Sequence, residues 1–212
     1  MPGIVGIVHN PDEILLDKML NSIKHEDWYK TDKYNGAFFS IGRVHLGTFN
    51  SESQPIFNEN KSLCIFFDGK IHDYNNEMEE LKRKGHKFHV NNDAEFCLHS
   101  YEEQGTKFIQ KLNGSFFLVI CDLVNKEAMI ANDRYGFRPH YYTLHNSKLL
   151  FAPEAKAILQ DRSFNKKLNY NKFNSIFLIT FFIFNVINIS TFISIKYKLF
   201  RNFIFNLLKF FI

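Results

Sequence analysis

The 212-residue sequence is poor in cysteine. Cys64, Cys97 and Cys121 are widely spaced and form no Cys-X-X-Cys pair, which argues against a zinc ribbon or a disulfide framework. Their apolar or helical neighbours predict buried structural thiols. The first residues also lack a basic segment leading into an apolar one, so no secretory signal is predicted. We therefore expect a reducing, cytoplasmic environment.

The sequence also lacks an excess of charge over most of its length. Its net charge of +4 comes from four basic residues near the end, and residues 1–172 are neutral overall; the four are Lys196, Lys198, Arg201 and Lys209. A nucleic-acid-binding protein concentrates Lys and Arg on its folded surface. No nucleic-acid partner is predicted.

The last part of the chain lacks glycine, alanine, proline, acidic residues and histidine. Residues 173–212 instead contain eleven Phe, nine Ile and five Asn, so we divide the chain into a domain at 1–172 and an apolar tail at 173–212. The uncharged stretch 174–195 is long enough to cross a bilayer as a helix, although polar residues interrupt it. Two alternatives remain open: a segment packed on a partner, and a frameshift or read-through product, because A/T-only codons encode this composition.

Among the features present, the first strand is the most informative. Ile4, Val5, Ile7 and Val8 form an apolar run of strand length, which predicts burial on both faces. Removal of Met1 before the small Pro2 would leave a terminal amine held inside the fold, and such an amine can serve as a base beside a nucleophile. The alternative is a terminal strand that only fills a core.

Hydrophobic periodicity and turn residues predict the remaining elements. Residues 25–35 are expected to be irregular, Asp68-Gly69 to be a turn, and Asp93 to cap a helix. The helices are predicted at 12–25, 74–84, 93–104, 108–112 and 153–160, and the strands at 37–41, 44–47, 63–67, 115–122, 128–133, 140–144 and 148–151. Two groups of strands with helices between and after them predict an α+β layered sandwich.

Short motifs carry a more specific signal. They are PGIVGI at 2–7, IGRVHL at 41–46, FDGKI at 67–71, NNDAE at 91–95, NDRYGFRPHYY at 132–142 and PEAKAIL at 153–159. In this order and at these separations, they resemble the class II glutamine amidotransferase domain of asparagine synthetases, an N-terminal nucleophile (Ntn) hydrolase. The resemblance covers about residues 1–172 and implies a four-layer αββα sandwich.

The resemblance also implies roles for particular positions. Such domains attack glutamine with an N-terminal cysteine whose own amine is the base; here Pro2 stands at that position. Asp68 and Gly69 fall at the oxyanion hole, where the family has Asn and Gly. An ionised Asp offers no donor and would repel the oxyanion.

The positions that hold the substrate are altered as well. His45 falls at the arginine that binds the substrate carboxylate, and Arg43, two residues earlier on the same strand face, is placed to compensate. Lys70 replaces a glutamate that binds the substrate amine, and Asp93 is the retained member of that acidic pair. Arg134 and Arg138 are interpreted as structural salt-bridge residues.

These departures lead to the predicted function. The family's reaction is glutamine hydrolysis with transfer of ammonia to a synthetase domain, but this copy is predicted not to hydrolyse glutamine. The alternatives are a non-catalytic module, which holds a synthetase-like partner or binds glutamine or an acidic ligand, and a truncated remnant of a longer gene.

The synthetase nucleotide loop (Ser-Gly-Gly-X-Asp-Ser) is absent from the sequence, so no ATP site and no cofactor are expected. His86 and His89 could share a metal ion, but a single pair does not establish a site, and none is predicted.

Overall fold

The first strand lies at the centre of a sheet. The computed structural model describes residues 2–164. In that range β1 (Gly3–Val8) is the middle strand of a five-stranded antiparallel sheet, and all six of its residues are buried, as predicted. The order is β2–β3–β1–β9–β8, with β2 at Lys30–Asn35, β3 at Phe39–His45, β8 at Tyr141–His145 and β9 at Lys148–Ala152.

A second antiparallel sheet packs against the first. Among the described residues it has four strands in sequence order: β4 (Ile56–Phe57), β5 (Leu63–His72), β6 (Asn113–Asp122) and β7 (Glu127–Asn132). Because side chains alternate along a strand, β5 directs Phe66 between the sheets and Ile65 and Phe67 toward the helices. The layer between the sheets includes Ile4, Phe39, Ile41, Phe66, Phe117, Val119 and Phe151.

Helices cover the outer faces of both sheets. The first sheet carries α1 (Glu13–Ile23) and α4 (Ala155–Ile158); the second carries α3 (Asp93–Gln104), with α2 (Asn75–Arg83) and a 3₁₀ helix (Gly105–Lys111) beside it. The result is an αββα arrangement, and the α+β class is confirmed.

Local sequence explains where α1 begins and which face it buries. The Asp12 carboxylate accepts a hydrogen bond from the Leu15 backbone N–H at 2.9 Å, which satisfies one of the free donors of the first turn. The buried face recurs at helical spacing, whereas Ile14 lies outside it and is exposed; the buried residues are Leu15, Leu16, Met19, Leu20 and Ile23.

Several local predictions are wrong. Lys30–Asn35 is a strand and not an irregular segment, because an edge strand can be polar when its backbone pairs with β3. Asp68 and Gly69 form no turn; they lie within β5, paired with Phe117 and Phe116. The cap of α3 is Asn92, whose side chain accepts from the Glu95 N–H at 2.9 Å.

The strand predicted in two pieces, at 37–41 and 44–47, is the single strand β3. The cysteines are confirmed as buried free thiols.

In the described range, no helix combines the length and apolar character that crossing a membrane requires. The predictions for residues 173–212, including the span at 174–195 and the boundary at 172, lie outside the described residues.

Candidate functional site

One cleft collects several of the predicted site residues. Since β1 runs antiparallel to β3, the start of β1 lies beside the end of β3. The middle of β5 and the segment before β8 complete a cavity of about 340 Å³, whose lining includes Pro2, His45, Asp68, Gly69, Arg138 and His140. Among the described residues that line this cavity, Arg43, Lys70 and Asp93 do not appear.

The acidic residue of the cleft is neutralised within the protein. Arg138 Nη1 donates to Asp68 Oδ2 at 2.5 Å, joining residues 70 positions apart. The side chain of Asp68 is 14% exposed and that of Arg138 is 33% exposed, so this ion pair is only partly hydrated. Arg138 therefore forms an internal ion pair, and its partner is the residue at the predicted oxyanion position.

Lys70 and Asp93 also pair with each other. Lys70 Nζ donates to Asp93 Oδ1 at 2.8 Å, and the side chain of Asp93 is only 1% exposed. The same carboxylate accepts from the Ile71 N–H at 3.1 Å and the Tyr74 hydroxyl at 2.7 Å. Burial, followed by this hydrogen bond to Asp93, raises the pKa of Tyr74. The Asp93 carboxylate is thus held by α3 against β5 and already faces an ammonium group.

Arg43 is fully engaged inside the protein. Its side chain is 1% exposed, and all five guanidinium N–H groups have acceptors. Nε and Nη2 donate to Asp32 Oδ2 at 3.1 and 2.6 Å; the remaining acceptors are the carbonyls of Asn50, Phe67 and Glu52. No donor of Arg43 is left for a ligand carboxylate.

His45 lies at the cleft with one ring nitrogen unused. Burial and the neighbouring Arg43 charge lower the pKa of His45, so its imidazole is neutral near pH 7. Nε2 is 3.5 Å from the Asp32 carboxylate, which favours a proton on that nitrogen. Nδ1 is then an acceptor, and it has no hydrogen-bond partner among residues 2–164.

His140 also lines the cavity and was not predicted as a site residue. Its ring stacks on Phe117, with centroids 3.3 Å apart and planes 4° from parallel. Nδ1 and Nε2 each lie 3.2 Å from a backbone carbonyl oxygen, those of Arg138 and Ile4. Burial lowers the pKa of His140 to about 4 although these carbonyls act in the opposite direction. A sequence signal existed, because His140 belongs to the 132–142 motif.

The lowered pKa gives His140 a predicted effect on stability. Below pH 6.5 the unfolded histidine takes up a proton that folded His140 accepts only near pH 4, so the folded state loses stability as pH falls through this interval. We expect a contribution of up to about 3 kcal/mol. In urea unfolding between pH 7.5 and 4, the free energy of unfolding should fall more steeply with decreasing pH for the wild type than for His140→Gln. Exposed His72→Gln is the control, and equal slopes for the two variants would contradict the prediction.

Comparison with known proteins places this geometry in context. Residues 1–197 match the family described as glutamine amidotransferase domain, beyond the boundary predicted at 172. Asparagine synthetase 2 (glutamine-hydrolysing) of Arabidopsis thaliana is 34% identical over 137 residues, covering 64% of this chain and 23% of the relative. The rice (Oryza sativa subsp. japonica) asparagine synthetase 2 is 34% identical over 170 residues, covering 76% and 28%. The chain therefore spans about a quarter of the length of these curated relatives.

Solved structures agree on the fold. The glutamine phosphoribosylpyrophosphate amidotransferase of Bacillus subtilis, in complex with ADP and GMP, has a TM-score of 0.60 and 18% sequence identity, over 74% of this chain and 42% of that chain. At this identity the likeness concerns the fold alone.

Proposed function

Because the chain belongs to the class II glutamine amidotransferase domains of the asparagine synthetase family, we propose that it keeps the framework of such a domain without its glutaminase chemistry. The observation that carries this proposal is that the charged side chains at three of the predicted site positions, Asp68, Lys70 and Asp93, form ion pairs within the protein. Asp68, at the predicted oxyanion position, pairs with Arg138, and Lys70 and Asp93, at the positions predicted to bind the substrate amine, pair with each other.

The nucleophile position supports the same conclusion. Pro2 lines the cleft, but a proline side chain carries no thiol or hydroxyl and cannot form an acyl-enzyme intermediate. Its secondary amine could remove a proton, but a base without a nucleophile completes no covalent cycle.

Charge at the oxyanion position opposes the reaction as well. A tetrahedral intermediate needs donors directed at its developing negative charge, and loss of one such donor lowers kcat by about 10²–10³-fold. Asp68 supplies a carboxylate at that position, and its contact with Arg138 uses a guanidinium donor that could otherwise face the cleft. The Gly69 backbone remains, without the side-chain donor of the family.

The substrate amine would meet a positive charge. The Lys70 ammonium lies 2.8 Å from Asp93 Oδ1, where it supplies the positive charge that a glutamine amine would bring. Binding of a glutamine amine there requires either displacement of Lys70 or placement of a second cation beside it. Arg43 cannot offset this cost at the carboxylate end, because its five donors are used.

Glutamate release from glutamine tests the proposal. We expect the purified full chain to release no glutamate above the buffer rate, and Pro2→Cys alone to remain inactive because Asp68 and Lys70 still oppose the chemistry. Coupled glutamate detection over several hours, with circular dichroism to confirm folding, is the measurement. Wild-type release that Pro2→Ala or Asp93→Asn abolishes would refute the proposal, whereas release that neither variant changes identifies a contaminating glutaminase.

A second candidate function, binding of a small ligand in the same cleft, rests on two unused buried atoms. His45 Nδ1 and Arg138 Nε have no hydrogen-bond partner within residues 2–164, and both residues line the cavity of about 340 Å³. Neutral His45 offers an acceptor and Arg138 a donor. A small molecule that carries both an acidic group and a donor, such as an amino acid, complements the pair.

Thermal-shift measurements separate this candidate from a purely structural role. Amino acids, glutamine included, and acidic metabolites are tested on the wild type and on His45→Phe, which removes the acceptor and retains an aromatic ring. A compound that raises the melting temperature of the wild type only would support ligand binding in the cleft. If no compound changes either protein, a scaffold role beside a synthetase domain or a synthetase-like partner is favoured.

A further inference from the structure

A group of imidazoles and carboxylates lies outside the cleft, on the outer side of the second sheet. Glu59 is in the turn between β4 and β5, His86 follows α2, and His99 and Glu102 lie three residues apart on α3. We call these four residues the His86–His99 cluster. The sequence suggested His89 as the partner of His86; the structure instead brings His86 to His99, and His89 is exposed.

The distances in the cluster resemble those between ligands of one metal ion. His86 Nδ1 is 3.2 Å from His99 Nδ1, and Glu102 Oε2 is 3.4 Å from the first and 2.7 Å from the second. Tetrahedral zinc with bonds of about 2.0–2.1 Å separates its ligand atoms by about 3.3 Å. The distance from His99 Nδ1 to Glu102 Oε2 is shorter than this because the two atoms share a hydrogen bond, and it would lengthen when a metal ion binds. Glu59 provides a further oxygen within 4.8 Å of both imidazoles.

Neighbouring groups hold the cluster side chains in orientation. Asn58 Nδ2 donates to Glu102 Oε1 at 2.7 Å, which leaves Oε2 toward the imidazoles. The Lys87 backbone N–H donates to Glu59 Oε1 at 2.9 Å. His86 Nε2 lies 3.1 Å from Glu103 Oε1, so a proton on Nε2 leaves Nδ1 as the free lone pair. Metal-binding histidines commonly have such a carboxylate partner on the other ring nitrogen.

The charge and position of the cluster fit a structural ion. The cluster contains two carboxylates and two imidazoles. The Phe88 ring packs edge-to-face on the His99 ring, with 4.7 Å between the ring centroids. Imidazole nitrogen with carboxylate oxygen suits Zn²⁺ and other divalent first-row transition metals. We propose that Glu59, His86, His99 and Glu102 bind one such ion, with Zn²⁺ preferred. Bound there, the ion ties the β4–β5 turn, the segment after α2, and α3 to one another. The site is independent of glutamine chemistry.

Metal titration of the full chain tests the assignment. After treatment with EDTA and dialysis, Zn²⁺ is titrated against a chromophoric chelator, and the melting temperature is recorded with and without the ion. We expect one ion per chain and a rise in melting temperature. His86→Ala should weaken binding at least about tenfold and abolish the rise, and His89→Ala, in the same segment but outside the cluster, should behave as the wild type.

Two further measurements keep the test decisive. Glu59→Gln changes an exposed side chain, so it reports on the site even if His86→Ala fails to fold; it should also weaken binding. Co²⁺ should give the visible absorption of tetrahedral nitrogen and oxygen coordination in the wild type and lose it in Glu59→Gln. The proposal is overturned if the wild type binds no stoichiometric ion, or if both cluster variants bind as tightly as the wild type.

Discussion

Replacing Arg43 with methionine is expected to lower the free energy of unfolding by about 3–5 kcal/mol. Methionine retains much of the side-chain length but removes the charge, and the Asp32 carboxylate, 10% exposed, then loses its ion pair. Three backbone carbonyls lose their donor in the same change. Urea unfolding followed by far-ultraviolet circular dichroism measures the difference.

Lys33 provides the matched control for this ion pair. It contacts Glu13 and Asp17 at 3.2 and 2.9 Å, but its side chain is 40% exposed and both partners are exposed as well. Lys33→Met should change stability far less, since water solvates all three groups after the substitution. If the two variants lose the same unfolding free energy, the five hydrogen bonds of Arg43 do not stabilise the fold as inferred.

Replacing Gly69 with alanine is expected to cost about 2–6 kcal/mol of unfolding free energy. Gly69 has φ +142°, and an added Cβ would lie 2.2 Å from the Ser115 carbonyl oxygen and 2.6 Å from Phe116 Cα. Both atoms belong to the backbone of β6, so no side-chain rotation relieves the contact. The glycine at the predicted oxyanion position is therefore required by packing, independently of any role in the chemistry.

Gly85 separates the two contributions to this cost. Its φ is +105°, but an added Cβ there meets no atom within 4 Å among the described residues. Gly85→Ala should thus show the backbone conformational cost alone, about 1–3 kcal/mol. We expect Gly69→Ala to exceed it by about 1–3 kcal/mol, the range for overpacking. A smaller loss at Gly69 than at Gly85 would contradict the packing argument.

The sequence correctly predicted those elements that depend on the pattern of neighbouring residues along the chain. The apolar run of β1 predicted a buried strand, and hydrophobic periodicity predicted a helix at 12–25, which the structure places at Glu13–Ile23. Two of the errors arose where strand pairing overrode a local signal. Asp68-Gly69 is a strong turn dipeptide, yet ten consecutive residues of β5 pair with β6, and the ladder continues through both residues. Polar β2 carries no strand signal of its own and depends on β3.

The sequence by itself determined the family and the burial of the first strand, and it identified the positions predicted to be altered, because motifs and periodicity are properties of neighbours along the chain. Tertiary structure alone decided what those residues contact. Lys70 and Asp93 are 23 residues apart, and Asp68 and Arg138 are 70 apart. Whether such charges face a ligand or each other depends on how β5, α3 and the segment before β8 pack. That packing is fixed by the apolar layers between and outside the sheets, which no single motif encodes.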